Sequence, residues 1–75
     1  MSPKLPRITA VAMLRALQKD GWQVIRQRGS HVILEHATKP GLVVVPNHRG
    51  DVRPGTLKSI MGDAGLTPEE LRGLL

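Results

Sequence analysis

His31 is the residue of this sequence best suited to proton transfer. It closes the triplet Gly29-Ser30-His31 between two apolar segments, and Arg26 and Arg28 precede it closely. Histidine as a residue type has an unperturbed pKa of about 6.5 and therefore both accepts and releases protons near neutrality. Arginine binds phosphate groups. A histidine beside phosphate-binding cations is the minimum equipment for cleaving RNA, because the RNA 2′-hydroxyl supplies the nucleophile.

Strand geometry disfavours two other chemistries at this position. Neighbouring residues on a strand point to opposite faces, so the Ser30 hydroxyl and the His31 imidazole are not expected to form a nucleophilic pair. His31 and His36 are five positions apart, an odd number, and therefore also face opposite ways if the strand is regular. The sequence contains no cysteine, and we predict neither a metal site nor a cofactor.

The expected ligand contacts involve phosphate groups rather than stacked bases. The chain has one Trp and neither Phe nor Tyr, whereas sheets that read RNA by stacking need about two or three exposed rings. Trp22 begins an apolar segment and is predicted to lie in the core. Residues 1–58 contain ten Lys or Arg and three acidic residues, a net charge of +7, while residues 59–75 contain one and three, a net charge of −2. This asymmetry favours a polyanionic partner.

Cations and free amide groups are concentrated around the turn before His31 and the start of a predicted helix. The helix begins at Pro54, and the amides of residues 55–57 are expected to be unpaired and to attract anions. Arg49 lies in the preceding loop, and His48 beside it is a second candidate for catalysis. The residues predicted to bind RNA phosphates are Arg26, Arg28, Ser30, Arg53 and Lys58.

Two segments show the apolar spacing of amphipathic helices. The first begins after Thr9, a predicted N-cap, and ends at Gly21, which suits a left-handed C′ position. The second begins at Pro54 and ends at Gly65. Their predicted buried stripes are Ala10, Met13, Leu14 and Leu17 in the first helix and Leu57, Ile60, Met61 and Ala64 in the second. A capping box at Thr67-Pro68-Glu69-Glu70 starts a short last helix.

Three β-branched segments between the long helices predict an antiparallel meander. They are Trp22–Gln27, His31–His36 and Leu42–Val45, and the third is apolar on both faces, which is typical of a central or covered strand. The predicted fold class is α+β, in the order α-β-β-β-α with a short C-terminal helix. The two long helices are expected to pack on one face of the three-stranded sheet and to leave the other for solvent or a partner.

Length and local composition limit the organisation of the chain. Its 75 residues predict a single domain, 1–75. Residues Met1–Arg7 lack the apolar stretch of a signal peptide, and no segment approaches the roughly 20 apolar residues that span a bilayer. We therefore expect a cytoplasmic protein without a membrane partner, in keeping with the absence of cysteine.

Several short motifs follow one another along the chain in an order that is typical of one protein family. They are Lys4-Leu5-Pro6-Arg7, Gly21 at a helix end, Arg26-Gln27-Arg28-Gly29-Ser30-His31, Val45-Pro46-Asn47-His48, Pro54-Gly55-Thr56-Leu57-Lys58-Ser59-Ile60, Ala64-Gly65-Leu66 and Glu69-Glu70. With these motifs the chain resembles the HicA-type toxins of bacterial toxin–antitoxin systems over nearly its whole length. One departure is Trp22, where Phe or Tyr is more usual in the family.

The resemblance implies a fold, an activity and partners. The fold would be that of a double-stranded-RNA-binding domain, and the activity would be metal-independent, ribosome-independent cleavage of mRNA by an endoribonuclease whose catalytic histidine is His31. The implied partners are the mRNA substrate and a HicB-type antitoxin that covers the active site, with no small-molecule cofactor. Two alternatives stay open, namely a non-catalytic RNA-binding module of the same fold and a domain whose basic face docks an acidic protein.

Overall fold

A computed structural model describes residues 7–75 of the chain. Most of the Lys4-Leu5-Pro6-Arg7 motif and most of the segment Met1–Arg7 lie outside these residues. The elements are α1 (Ala10–Lys19), β1 (Trp22–Arg28), β2 (His31–His36), β3 (Leu42–Pro46), α2 (Pro54–Ala64) and α3 (Pro68–Leu74). The predicted α+β class and the order of elements are confirmed.

The helices begin and end where local side-chain chemistry predicts. The Thr9 hydroxyl caps α1 by accepting a hydrogen bond from the Ala12 amide at 3.1 Å. Gly65 ends α2 in the left-handed conformation, with φ +66°, which costs glycine no steric penalty. At α3, the Thr67 hydroxyl accepts from the Glu70 amide, and the Glu70 carboxylate accepts from the Thr67 amide. The predicted capping box is therefore confirmed.

The sheet is an antiparallel meander in the order β1-β2-β3, so β2 is its central strand. The expectation that Leu42–Val45 forms a central or covered strand is wrong, because β3 lies at the edge. Leu42 and Val44 are 51% and 43% exposed. Their apolar side chains lie on the sheet face that faces away from the helices, which we call the open face. Alternation buries only Val43 and Val45.

The core lies between the other sheet face and the helices. Helix α1 packs on β1 and β3, α2 packs on β3, and α1 also contacts α3. Trp22 is 1% exposed, which confirms its predicted place in the core. Of the predicted stripe in α1, Leu14 is only half-buried, while Ala16 is fully buried. The stripe predicted in α2 is buried throughout.

A β-bulge in β1 decides which face of the sheet its arginines occupy. In a regular strand, Trp22, Arg26 and Arg28 would share one face, because their positions differ by even numbers. The register with β2 shifts at Ile25, which is the extra residue of the bulge. Trp22 therefore points into the core, whereas Arg26 and Arg28 lie on the open face with His31.

His36 lies on the helix-covered side of β2 and holds the fold through both of its ring nitrogens. Its Nδ1 accepts hydrogen bonds from the amides of Thr38 and Lys39 at 3.0 and 3.1 Å. The ring proton is therefore on Nε2, which donates to the carbonyl oxygen of Asp20 at 2.7 Å. The imidazole also meets the Trp22 ring edge-on, with the centroids 5.2 Å apart.

A salt bridge beside His36 ties the end of α1 to the end of α2. Lys39 Nζ lies 2.6 Å from Asp20 Oδ2 and also donates to the carbonyl oxygen of Ala64 at 2.9 Å. The same Asp20 carboxylate accepts from the Trp22 indole at 3.2 Å. These bonds and those of His36 form one polar cluster (Asp20, Trp22, His36 and Lys39) that joins five segments of the chain.

Candidate active site

A cleft of about 410 Å³ lies where the first residue of β2, the last residue of β3, loop 47–53 and the beginning of α2 meet. These segments are distant in sequence, and only the fold brings them together. The polar residues that line the cleft are His31, His48, Arg49, Asp51, Arg53 and Thr56. Two imidazoles and two guanidinium groups therefore share one concave surface with a single carboxylate.

His31 reaches the cleft from the end of the central strand. It lies directly opposite Arg28 of β1 and opposite Pro46 of β3. Cβ atoms of directly opposed antiparallel residues lie about 5 Å apart, so the Arg28 guanidinium can reach the surroundings of the imidazole. The His31 side chain is exposed and makes no hydrogen bond or ion pair with residues 7–75. Its ring nitrogens are therefore free to meet a ligand.

Loop 47–53 is held in place by main-chain hydrogen bonds near both of its ends and by the half-buried Val52 side chain, which packs against the core. The Asn47 amide donates to the carbonyl oxygen of Ser30 at 2.7 Å, and the Val52 amide donates to the carbonyl oxygen of Ile8, also at 2.7 Å. Near the second anchor, Thr9 and Asp51 form an isolated antiparallel bridge. Both ends of the loop are thus fixed, so a ligand meets a preorganised cleft.

Three side chains of this loop, one imidazole and two guanidinium groups, have no structural task. His48, Arg49 and Arg53 are exposed, and none of them bonds to another side chain or to the main chain in the part that the structure describes. Asp51 is equally unpaired within that part. The Arg side chains outnumber the carboxylate, so the cleft is a favourable place for an anion.

The beginning of α2 adds main-chain donors to the cleft. Arg53 occupies the N-cap position without a side-chain cap bond, and Pro54 follows at N1. The amides of Gly55 and Thr56 therefore have no side-chain acceptor from the cap, as predicted, and the helix dipole favours an anion there. The expectation that the Leu57 amide is unpaired is wrong, because it donates to the Arg53 carbonyl oxygen at 2.8 Å. That bond is the first intrahelical one, which an N-cap carbonyl accepts.

The structure brings together some of the residues predicted for the site and separates others. His31, His48 and Arg53 line the cleft. Arg28 adjoins His31 across the hairpin, and Arg26 lies farther along the open face, opposite Ile33. The remaining two predicted residues are outside the lining: Ser30 is half-buried within the hairpin turn, and Lys58 is exposed in the second turn of α2.

Sequence reasoning missed Asp51 as a cleft residue and placed Arg49 only in the loop. Their convergence with His31 depends on the bonds from Asn47 and Val52 to distant carbonyl oxygens. The one signal that could have indicated a defined loop is its position between two prolines, Pro46 and Pro54. Proline often marks the points where strands and helices stop or start.

Residues 7–75 contain neither a candidate membrane span nor a candidate metal centre. None of the helices described there combines the length and the apolar character needed to cross a bilayer. Within the same residues, His, Asp and Glu side chains do not converge in a group of three or more that could hold a metal ion.

The fold and the cleft define a small, basic α+β protein with a concave surface lined by histidine and arginine side chains. Residues 12–66 match the family described as HicA toxin of bacterial toxin–antitoxin systems. This match spans well over half of the 75 residues and includes the hairpin of His31, loop 47–53 and all of α2. The chain belongs to the HicA toxin family, and the resemblance seen in its sequence is confirmed. It is thus the toxin of a toxin–antitoxin system, and its partner is an antitoxin. No curated protein matches the chain.

Proposed function

We propose that this toxin is a metal-independent endoribonuclease that cleaves mRNA and that His31 is its catalytic histidine. The observation that carries the proposal is the place of His31 in the cleft. Its imidazole is exposed and unbonded within residues 7–75, and it shares a concave surface with Arg49 and Arg53. A free proton-transfer group beside phosphate-binding cations is what phosphodiester cleavage requires.

In this proposal, the RNA backbone is bound through its phosphates. Arg49 and Arg53 and the amides of Gly55 and Thr56 hold a phosphate group in the cleft. Arg28, directly opposite His31, holds a neighbouring one on the open face. Charged and main-chain donors of this kind stabilise the additional negative charge of the transition state. Of the other predicted phosphate-binding residues, Arg26 extends this track along the sheet, and Lys58 extends it along α2.

His31 would transfer a proton to or from the reacting ribose and phosphate oxygens. Such general acid–base catalysis by one histidine contributes about 10²- to 10⁴-fold to the rate. The nucleophile is the RNA 2′-hydroxyl group, so neither a serine nor a metal-bound water is needed. DNA lacks that hydroxyl and is not expected to be cleaved.

The antitoxin partner is proposed to be of the HicB type and to neutralise the toxin by covering the cleft. The support is electrostatic, because residues 1–58 carry a net charge of +7, from ten basic and three acidic residues. A surface built to bind RNA phosphates also favours an acidic protein. Blocking His31 and its arginines would prevent substrate binding and proton transfer together.

The test compares three purified proteins on one fluorescently labelled single-stranded RNA and on its DNA counterpart. They are the parent chain, His31→Ala, and Arg15→Ala as a control for the loss of an exposed side chain from α1. We expect the parent and Arg15→Ala to shorten the RNA and leave the DNA intact. His31→Ala should bind the RNA with similar affinity and cleave it about 10²- to 10⁴-fold more slowly.

Other results would support the alternatives or refute the mechanism. Equal cleavage by His31→Ala and the parent would exclude the catalytic role of His31. Salt-sensitive binding of RNA by the parent, without any shortening, would identify a non-catalytic RNA-binding module. Failure to bind RNA at low salt would leave the docking of an acidic protein as the function of the basic surface.

A further inference from the structure

We propose that His48 is a second proton-transfer group, and that the two imidazoles of the cleft cleave RNA by internal transesterification. This inference rests on the proposed function and adds to it a second catalytic residue and a defined product. Its basis is the convergence of His31 and His48 on one cleft, although 17 positions separate them in the sequence.

One main-chain hydrogen bond joins the residues that precede the two histidines. Asn47, which precedes His48, donates its amide to the carbonyl oxygen of Ser30, which precedes His31, at 2.7 Å. Pro46, at the end of β3, lies directly opposite His31. Both imidazoles therefore project from backbone that is fixed one residue away, and their relative position does not depend on a flexible loop.

Of the three histidines of the chain, one makes structural hydrogen bonds and two do not. Both ring nitrogens of His36 are bonded to the main chain. By contrast, neither His31 nor His48 has a side-chain hydrogen bond or ion pair within residues 7–75, and both are exposed. The two histidines without a structural task are the two that line the cleft.

The surroundings of the two imidazoles suit a phosphodiester. The charged groups that face them are Arg49, Asp51 and Arg53 in the cleft and Arg28 across the hairpin. The three guanidinium groups outnumber the single carboxylate, so the net charge around the imidazoles attracts the scissile phosphate. A cleft of about 410 Å³ has room for a phosphate with parts of its two riboses, since small-molecule sites are commonly about 300–1,000 Å³.

The reaction needs one neutral imidazole and one imidazolium. The neutral ring accepts the proton of the 2′-hydroxyl group, and the 2′-oxygen forms a bond to phosphorus. The bond between phosphorus and the 5′-oxygen breaks, and the imidazolium gives its proton to that leaving oxygen. The products are a 2′,3′-cyclic phosphate and a 5′-hydroxyl end, and the step consumes neither water nor any other reactant. Each proton transfer contributes about 10²- to 10⁴-fold.

The experiment uses two RNA substrates that differ in one atom, the 5′-oxygen of the scissile bond or a sulfur in its place. A thiolate leaves without a proton, so the sulfur substrate makes the acid unnecessary and leaves the base essential. The parent, His31→Ala, His48→Ala and His48→Asn are compared on both substrates, and the products are identified by mass spectrometry. Asparagine retains a hydrogen-bonding side chain but transfers no proton.

We expect all three variants to cleave the oxygen substrate about 10²- to 10⁴-fold more slowly than the parent. Sulfur should restore the rate for substitutions at one histidine position, which is then the acid, and not at the other, which is the base. The parent should release a 2′,3′-cyclic phosphate. Thermal unfolding midpoints of the His48 variants should match that of the parent, because His48 makes no bonds within residues 7–75.

Several outcomes would overturn the proposal that His31 and His48 act as an acid–base pair. Full activity of His48→Ala, or of His48→Asn alone, would exclude proton transfer by His48 while leaving His31 and the proposed function intact. Restoration of the rate at both positions, or at neither, would exclude the division into one acid and one base. Undiminished cleavage by His31→Ala would instead refute the proposed function itself, so the two failures are distinguishable.

Discussion

The substitution Gly21→Ala tests the polar cluster behind the sheet. Gly21 connects α1 to β1 with φ +104°, a conformation that residues with a Cβ rarely adopt. A Cβ atom at this position would lie 2.7 Å from His36 Nε2. The imidazole is the obstacle, and it is held on both sides: Nε2 bonds to the carbonyl oxygen of Asp20, and Nδ1 accepts from two amides.

The expected loss of stability has two parts. The unfavourable φ costs about 1–2 kcal/mol for a residue with a Cβ. Displacing His36 breaks the bond to the Asp20 carbonyl and weakens those to Nδ1, and each hydrogen bond contributes about 1 kcal/mol. The sum is about 3–5 kcal/mol, which is a large share of the stability of a small domain.

Gly41→Ala is a matched control because it carries the cost of the unfavourable φ without the cost of displacing His36. Gly41 has φ +77°, and a Cβ there would meet nothing within 4 Å. Both substitutions restrict the unfolded chain equally. The difference in the free energy of unfolding should therefore be about 2–3 kcal/mol, or roughly 8–24 °C in the unfolding midpoint of a chain this size.

The assay is urea denaturation followed by far-ultraviolet circular dichroism, with thermal unfolding as a second measurement. Equal destabilisation by the two substitutions would refute the argument that His36 is fixed against Gly21. A double-mutant cycle with His36→Ala sharpens the result, because removal of the ring should eliminate most of the additional cost of Gly21→Ala.

One deletion and one substitution test how the sheet and the polar cluster are built. Deletion of Ile25 should lower the free energy of unfolding by at least about 3 kcal/mol, because without the bulge either the arginines or Trp22 must change face, and an unpaired buried charge costs about 3–5 kcal/mol. The control Ile25→Ala, at a side chain that is 45% exposed, keeps the bulge and should change the free energy of unfolding little. Similar urea midpoints for the deletion and the control would contradict the assigned register. Lys39→Met should lower the free energy of unfolding by about 1–2 kcal/mol through loss of the bonds to Asp20 and Ala64. The measurement is urea denaturation, with Lys58→Met as the control at an exposed site. An equal effect of the two substitutions would show that the salt bridge contributes nothing.

The helices could be predicted from the sequence because their signals are local. A hydroxyl at Thr9, a glycine at Gly65 and the pair Thr67 and Glu70 each satisfy main-chain groups within a few residues of themselves. The signals that decide the order of the strands, by contrast, are not local. The apolar residues of β3 match a central strand equally well, and only the placement of the helices leaves Leu42 exposed.

The cleft could be predicted only in part. His31 and the cations were recognisable as residue types. The even spacing of Trp22, Arg26 and Arg28, however, places both arginines on the core face with Trp22 unless the bulge at Ile25 is known. A bulge depends on the pairing of two strands, and its cost and benefit are not visible in one segment. The structural task of His36 was equally hidden, because its partners are mainly main-chain groups supplied by other turns of the chain.

The main-chain anchors of loop 47–53 affect how this site can diversify among related sequences. The loop keeps its path through the bonds of the Asn47 and Val52 amides, which almost any residue could supply, and through the packing of the Val52 side chain against the core. Substitutions at positions 48, 49, 51 and 53 therefore change the chemistry offered to a ligand with little effect on folding. Under the proposed function, selection could alter the specificity of this cleft, and require a matching change in the antitoxin that covers it, without first rebuilding the scaffold.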